Sequence, residues 1–278
     1  METIDEPGTI EDLVADARRS GYHATPRLVR DWTEVGLLDH PRRRPAGKSH
    51  GSRPALYSAN QRMLFLTLLS KRGPESRLLR TLARIPIGLW LYWGDDYVPP
   101  RQARRAFMTW LGDPRLSRQK ARDAAGALLG QLDNPRATPT ARRELVKVVA
   151  EIAYSMHADY DQLDVAVRAV FEPDHRQIRR AVGHPAAPIT TDAVTRLIRA
   201  RLQAAAWLVA GHVTDEEFNR ARQNHLMAFA EYTRQQPELA TSAVSNAANF
   251  YEAVTPQMMF DNCGNDLLTI IGLTKQQP

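Results

Sequence analysis

The chain has 278 residues, of which 43% are hydrophobic and 24% charged, with a net charge of +6 and a pI of about 9.7. At about 100–200 residues per domain, this allows one large domain or two with a sizeable core. No run approaches the about 18 consecutive apolar residues of a membrane span. Residues 1–10 carry Glu2, Asp5 and Glu6 and lack a basic start followed by an apolar run, against a secretory leader. The single cysteine, Cys263, excludes an internal disulfide and suits a reducing, cytoplasmic setting.

The charge is unevenly spread. Residues 27–80 hold 12 Lys/Arg against 4 Asp/Glu, a local excess of +8. Such a concentration is an electrostatic footprint for a polyanion.

In chain order, Thr9 with Asp12 makes an approximate capping box. Ile10, Leu13, Val14 and Ala17 follow at helical spacing, and Ser20-Gly21 ends that helix. Thr25-Pro26 starts a second helix, with Thr25 as N-cap and proline at the first helical position. Leu28, Val29, Trp32 and Val35 form its inward stripe, and Gly36 stops it where a left-handed residue is needed. Arg27, Arg30, Asp31 and Glu34 are left on its outer face.

Two short helices joined by a glycine-containing turn suggest a helix-turn-helix, whose second helix enters the major groove. Arg27 and Arg30 are then placed to read guanine, at about 1–3 kcal/mol of discrimination each.

Leu37-Leu38-Asp39-His40-Pro41 leads into a basic loop with Arg42, Arg43, Arg44, Lys48 and Arg53, interspersed with proline and glycine. The loop lies between two short extended pieces and reads as a wing whose five cations neutralise phosphates. Ser58 with Gln61 suggests another capping box, opening a third helix through Met63, Leu64, Phe65, Leu66, Leu68 and Leu69 to about residue 72.

This order of parts resembles the N-terminal domain of MerR-type regulators. The matching stretches are Thr9-Ile10-Glu11-Asp12-Leu13-Val14, the run from Leu28 through Asp31-Trp32 and Glu34-Val35 to Gly36-Leu37-Leu38, and Leu56-Tyr57-Ser58. They cover about the first quarter of the chain. The resemblance implies that Arg30 is the recognition-helix arginine, that Trp32 occupies the second of two aromatic positions after it, and that Tyr57 is the wing tyrosine that touches backbone phosphate. Asp31 stands where the family has its first aromatic, and Ala55 where its wing supplies an arginine, with Arg53 nearby. Gly73-Pro74 and Pro86 interrupt the stretch where the family carries its long dimerisation helix, and proline in a helix interior costs about 3 kcal/mol.

Beyond residue 74, residues 75–98 are rich in leucine, isoleucine and aromatics. Helical patterns follow over 101–111, 117–132, 140–157, 160–171, 192–210 and 215–234, with less definition over 246–273. Thr214 and Glu217 form a capping box for the helix at 215. Alternating strand patterns are nearly absent, so the expected architecture is mainly α. A winged helix-turn-helix over 1–74 precedes an all-helical dimerisation or effector domain over 75–278.

Trp90, Trp93, Tyr97 and Trp110 invite a ligand-pocket reading, against the commoner role of large aromatics in cores. Glu172-Pro173-Asp174-His175 has Glu-x-x-His spacing, but proline spoils the helical ligand geometry, so no metal and no cofactor are expected. No phosphate-cradling loop, nucleophile elbow or zinc-protease pattern occurs, which argues against an enzyme.

The leading expectation is a transcriptional regulator binding double-stranded DNA as a homodimer on a palindromic operator, with a possible protein or small-molecule effector on the C-terminal domain. An architectural or excisionase-like DNA-binding protein is the second reading. A protein-interaction module whose winged domain no longer binds DNA is the third.

Overall fold

The computed structural model describes residues 4–44, 53–72, 79–130, 132, 134, 136–172, 191–235 and 263–275. Among these the protein is mainly α, with eleven α-helices and one two-stranded sheet. The chain divides into two compact units, the first drawn from Met1–Trp110 and the second from Leu111–Ala240 with Asp261–Pro278.

In the first unit, α1 spans Ile10–Arg19. Its capping box is complete. Asp12 N donates to Thr9 Oγ1 at 3.3 Å, and Thr9 N donates to Asp12 Oδ2 at 2.7 Å. The hydrogen bond from Thr9 N also holds the Asp12 carboxyl below its usual range. Helix α2 spans Pro26–Glu34, with Thr25 Oγ1 accepting from Leu28 N at 3.2 Å. After it Gly36 takes φ +78°, a conformation that glycine adopts without steric cost.

Strands β1 (Arg42–Arg44) and β2 (Arg53–Leu56) pair antiparallel, with Arg42 opposite Leu56 and Arg44 opposite Arg53. A bridge between Gly8 and Tyr57 ties this hairpin to the chain just before α1. Helix α3 spans Ala59–Lys71 and starts from Ser58, which accepts from Gln61 N at 3.3 Å. The reciprocal half of the expected box does not form. The Gln61 amide turns inward instead, accepting from Asp39 N at 2.7 Å and donating to Tyr97 O and Gln102 Oε1 at 3.0 and 2.8 Å.

Leu13, Ala17, Val29, Trp32, Leu38, Leu64, Phe65 and Leu68 build the core between α1, α2 and α3. Trp32 meets Phe65 edge to face with centroids 5.5 Å apart. Such a pair adds about 0.5–1.5 kcal/mol beyond its buried area. The same core contains an ion pair. Arg62 of α3 donates two parallel bonds, 2.8 and 2.9 Å, to the carboxylate of Asp16 in α1, and Arg19 also reaches that carboxylate.

Helices α4 (Leu79–Trp93) and α5 (Pro100–Leu111) follow. Helix α4 continues through Pro86, so the proline is accommodated in a helix that carries buried Leu82, Ile85, Ile87, Leu89 and Trp90. The first unit therefore runs well past residue 74, where composition suggested a boundary. The physical reason is polar. Side chains of α5 satisfy carbonyls left open where α2 ends: Thr109 Oγ1 donates to Val35 O at 2.7 Å, Gln102 Nε2 to Leu37 O at 3.1 Å, and Arg105 to Leu38 O at 3.3 Å.

The second unit contains α6 (Arg118–Leu128), α7 (Pro139–Ser155), α8 (Tyr160–Phe171), α9 (Thr191–Val209), α10 (Asp215–Gln235) and α11 (Cys263–Thr274). Helix α7 packs on α6 and α8, and α11 lies against α9 and α10. Gly272 makes the closest approach, since a Cβ there would run into the backbone of Ala200. Buried Arg201 donates to Leu128 O, Gly130 O and Thr269 Oγ1 at 2.8, 3.1 and 2.9 Å, joining α6, α9 and α11. Thr214 and Glu217 close the box at the start of α10, with bonds of 2.8 and 3.1 Å. Of the segment 246–273, helix is described for Cys263–Thr274, and the earlier part lies outside the described residues.

Candidate nucleic-acid interface

The N-terminal pattern sends α2's apolar side chains inward and leaves Thr25, Arg27, Arg30, Asp31 and Glu34 exposed on one side. The Arg27 side chain is 88% exposed, and its Nε lies 3.8 Å from Asp31 Oδ2. That distance, in water, makes the pair worth little energetically. At that length it is not a hydrogen bond, so it consumes none of the guanidinium donors.

Arg30 projects into an open groove of about 550 Å³, bounded by Thr9, Glu11, Glu34, His40, Ala55 and Tyr57 among others. The groove lies between the start of α1, the flank of α2 and the base of the hairpin. Arg42, Arg43 and Arg53 are exposed on that hairpin. Arg44 is half-buried, and its Nε donates to Pro54 O at 3.0 Å across the strands. Lys48 lies outside the described residues.

Two residues of the expected interface belong to the interior instead. Trp32 is 2% exposed, so it supports α2 from behind and presents no surface to a ligand. Tyr57 is 4% exposed. Its Oη lies 3.1 Å from Thr33 Oγ1, which itself donates to Val29 O at 2.9 Å. Burial pushes the Tyr57 phenol up, keeping it neutral. It ties the hairpin to α2 and forms the floor of the groove, so a phosphate in the groove would meet little of it.

Two of the four residues of the expected aromatic pocket lie in the interior. Trp90 is fully buried and Trp110 is 2% exposed, packed edge-on to Phe107 with centroids 5.1 Å apart. Trp93 and Tyr97 are half-buried, and Trp93 meets Tyr92 edge-on at 6.2 Å. Trp90 and Trp110, with Phe107, fill the core of the first unit.

Residues missed by local pattern hold the end of α2 and the chain after it in place. The Gln61–Gln102 amide pair, Arg105, Thr109 and Asp39 fix the chain after α2, with Arg105 donating to Asp39 Oδ1 at 3.2 Å. Their separations in sequence exceed any helical period, so only polar residues standing on otherwise apolar faces signalled them.

Among the described residues, no group of three or more His, Cys, Asp or Glu side chains is placed to hold a metal. No described helix is long and apolar enough to cross a membrane. No family model matches the chain, and no curated protein or solved structure matches it.

Proposed function

We propose that the chain is a sequence-specific regulator that binds double-stranded DNA through a winged helix-turn-helix of the MerR kind, with α2 as the recognition helix and the hairpin as the wing. The observation that carries this reading is the joint exposure of Arg27 and Arg30 on α2 beside a hairpin whose strands begin with arginines. An α-helix is about 10–12 Å across with its side chains, so α2 suits a major groove about 12 Å wide.

In this reading Arg30 and Arg27 contact base edges, with Thr25 at the helix N-terminus. Arg42, Arg43, Arg44, Lys48 and Arg53 hold phosphates. Asp31 and Glu34 stand on the same face, which disfavours indiscriminate phosphate binding and supports selectivity. A single unit covers a short site, so a homodimer on a palindrome doubles the contacts. The helical second unit is the proposed pairing device.

Substitution separates the two kinds of contact. Arg30→Ala lowers specific affinity by about 1–3 kcal/mol and leaves random-sequence binding nearly unchanged. Arg43→Ala weakens every sequence alike and flattens the salt dependence by about one unit. Equal losses on specific and random DNA for Arg30→Ala would contradict base reading.

A further inference from the structure

Two cavities of the second unit share a wall. One is an apolar crevice of about 90 Å³ between α6, α7 and α9, floored by Leu111, Ala124 and Leu128 and flanked by Ala153 and Ala205. The other is a polar groove of about 510 Å³ carrying Asp164, Thr195, Arg196 and Arg199 from α8 and α9. Tyr160 and Gln203 line both, and Gln203 Nε2 donates to Tyr160 Oη at 3.1 Å.

The carboxylates in the groove are already engaged. Arg168 donates to Asp164 Oδ2 and Asp192 Oδ1, each at 2.7 Å, and Thr195 Oγ1 donates to Asp164 Oδ1 at 3.2 Å. The arginines facing them are less committed. Arg199 lies over the Tyr160 ring at 4.3 Å and reaches Tyr160 O at 3.4 Å, but its buried Nε meets no acceptor among the described residues. Arg196, one helical turn earlier, is exposed. The enclosed Nε is out of reach of the groove, so a ligand there meets the terminal guanidinium nitrogens of Arg199, of which one reaches Tyr160 O.

We propose that these adjoining cavities bind a small amphipathic carboxylate laid across their shared Tyr160–Gln203 wall, its short alkyl chain or single ring in the crevice and its carboxylate on Arg199, with Arg196 as an outer charge. The Tyr160–Gln203 bond then sits where head meets body. Five alanines, Ala124, Ala153, Ala158, Ala205 and Ala206, keep the crevice open by their small side chains. Met156 lines the crevice, is 41% exposed and has φ 58°, so a flexible thioether stands at the mouth and adapts to different bodies. This site lies in the second unit and stands or falls separately from DNA binding.

The test is calorimetric titration of the full chain with butyrate, hexanoate, benzoate and phenylacetate, and with the corresponding neutral amides. At least one acid is expected to bind saturably at one site per chain, about tenfold tighter than its amide, the scale of a charge-assisted hydrogen bond. Arg199→Met removes that preference while keeping the amide's affinity, and Arg199→Lys restores it in part. Ala206→Leu, at a half-buried wall position, weakens acid and amide together. Circular dichroism and thermal unfolding confirm that each variant is folded. Absence of saturable binding by all four acids, equal binding of acids and amides, or an Arg199→Met chain that keeps the preference would overturn the proposal.

Discussion

Gly36→Ala is the most informative perturbation of the first unit, because Gly21 supplies its own control. Both glycines have the same left-handed backbone, with φ +78° and +81°. Alanine at either position bears about 1–2 kcal/mol for that conformation. Their surroundings differ. A Cβ at Gly21 meets nothing within 4 Å, whereas one at Gly36 would lie 2.5 Å from Arg105 Cβ and 2.7 Å from Arg105 C, and closer still to Ala106 N. Two of those atoms belong to the backbone of α5 and cannot swing aside. Overpacking of this kind adds about 1–3 kcal/mol. Gly36→Ala is therefore expected to lose about 2–5 kcal/mol and Gly21→Ala about 1–2 kcal/mol. Urea unfolding of both variants, followed by circular dichroism and tryptophan fluorescence, measures the difference. Equal losses would refute the packing of α5 against the turn after α2, and with it the reason given for extending the first unit beyond residue 74.

Other expectations follow from the same interactions. Asp16→Ala strands the nearly buried Arg62 guanidinium and is expected to cost about 3–5 kcal/mol, while Asp16→Leu with Arg62→Met recovers most of it; additive losses in denaturant unfolding would count against a coupled pair. Asp12 and Glu217 each close a capping box, and both carboxyls are held below their ordinary values by the backbone N–H they accept from. A depressed folded pKa means that stability present at neutral pH is lost as pH falls through about 4 and below. Thermal unfolding between pH 6 and 3 should show this loss, and it should shrink in Asp12→Asn and Glu217→Gln; an unchanged pH profile in the double variant would refute the assignment. Thr109→Val removes the donor to Val35 O at nearly constant volume and should speed amide hydrogen exchange at the end of α2. Unaltered exchange there would show that α5 does not fasten that end.

Local chemistry made much of the fold readable. The boxes at Thr9–Asp12 and Thr214–Glu217, the Thr25-Pro26 start, the Ser58 cap and the Gly36 stop each depend on residues within a few positions of one another. The helices over 101–111 and 160–171 likewise follow from apolar periodicity, and the structure places them at Pro100–Leu111 and Tyr160–Phe171. What local spacing could not show is which partner wins a polar side chain. Gln61 has the spacing of a capping residue, yet the amide of Asp39 and the side chain of Gln102 compete for it from 22 and 41 positions away. The candidate interface was mixed in the same way. Arg27, Arg30, Arg42, Arg43 and Arg53 are on the surface, where charged side chains without a buried partner belong. Trp32 and Tyr57 carry large apolar areas, and burial against Phe65 and Thr33 outweighs exposure to a ligand. The Trp90 and Trp110 indoles lie in the core for the same reason.

Binding of the full chain to a pool of genomic DNA fragments, with the retained fraction sequenced at two salt concentrations, tests DNA recognition most directly. Enrichment of a palindromic site that persists at the higher salt, and that Arg30→Ala abolishes, is the expected result. Retention without sequence enrichment would point to an architectural role. No retention even at the lower salt would contradict DNA binding altogether.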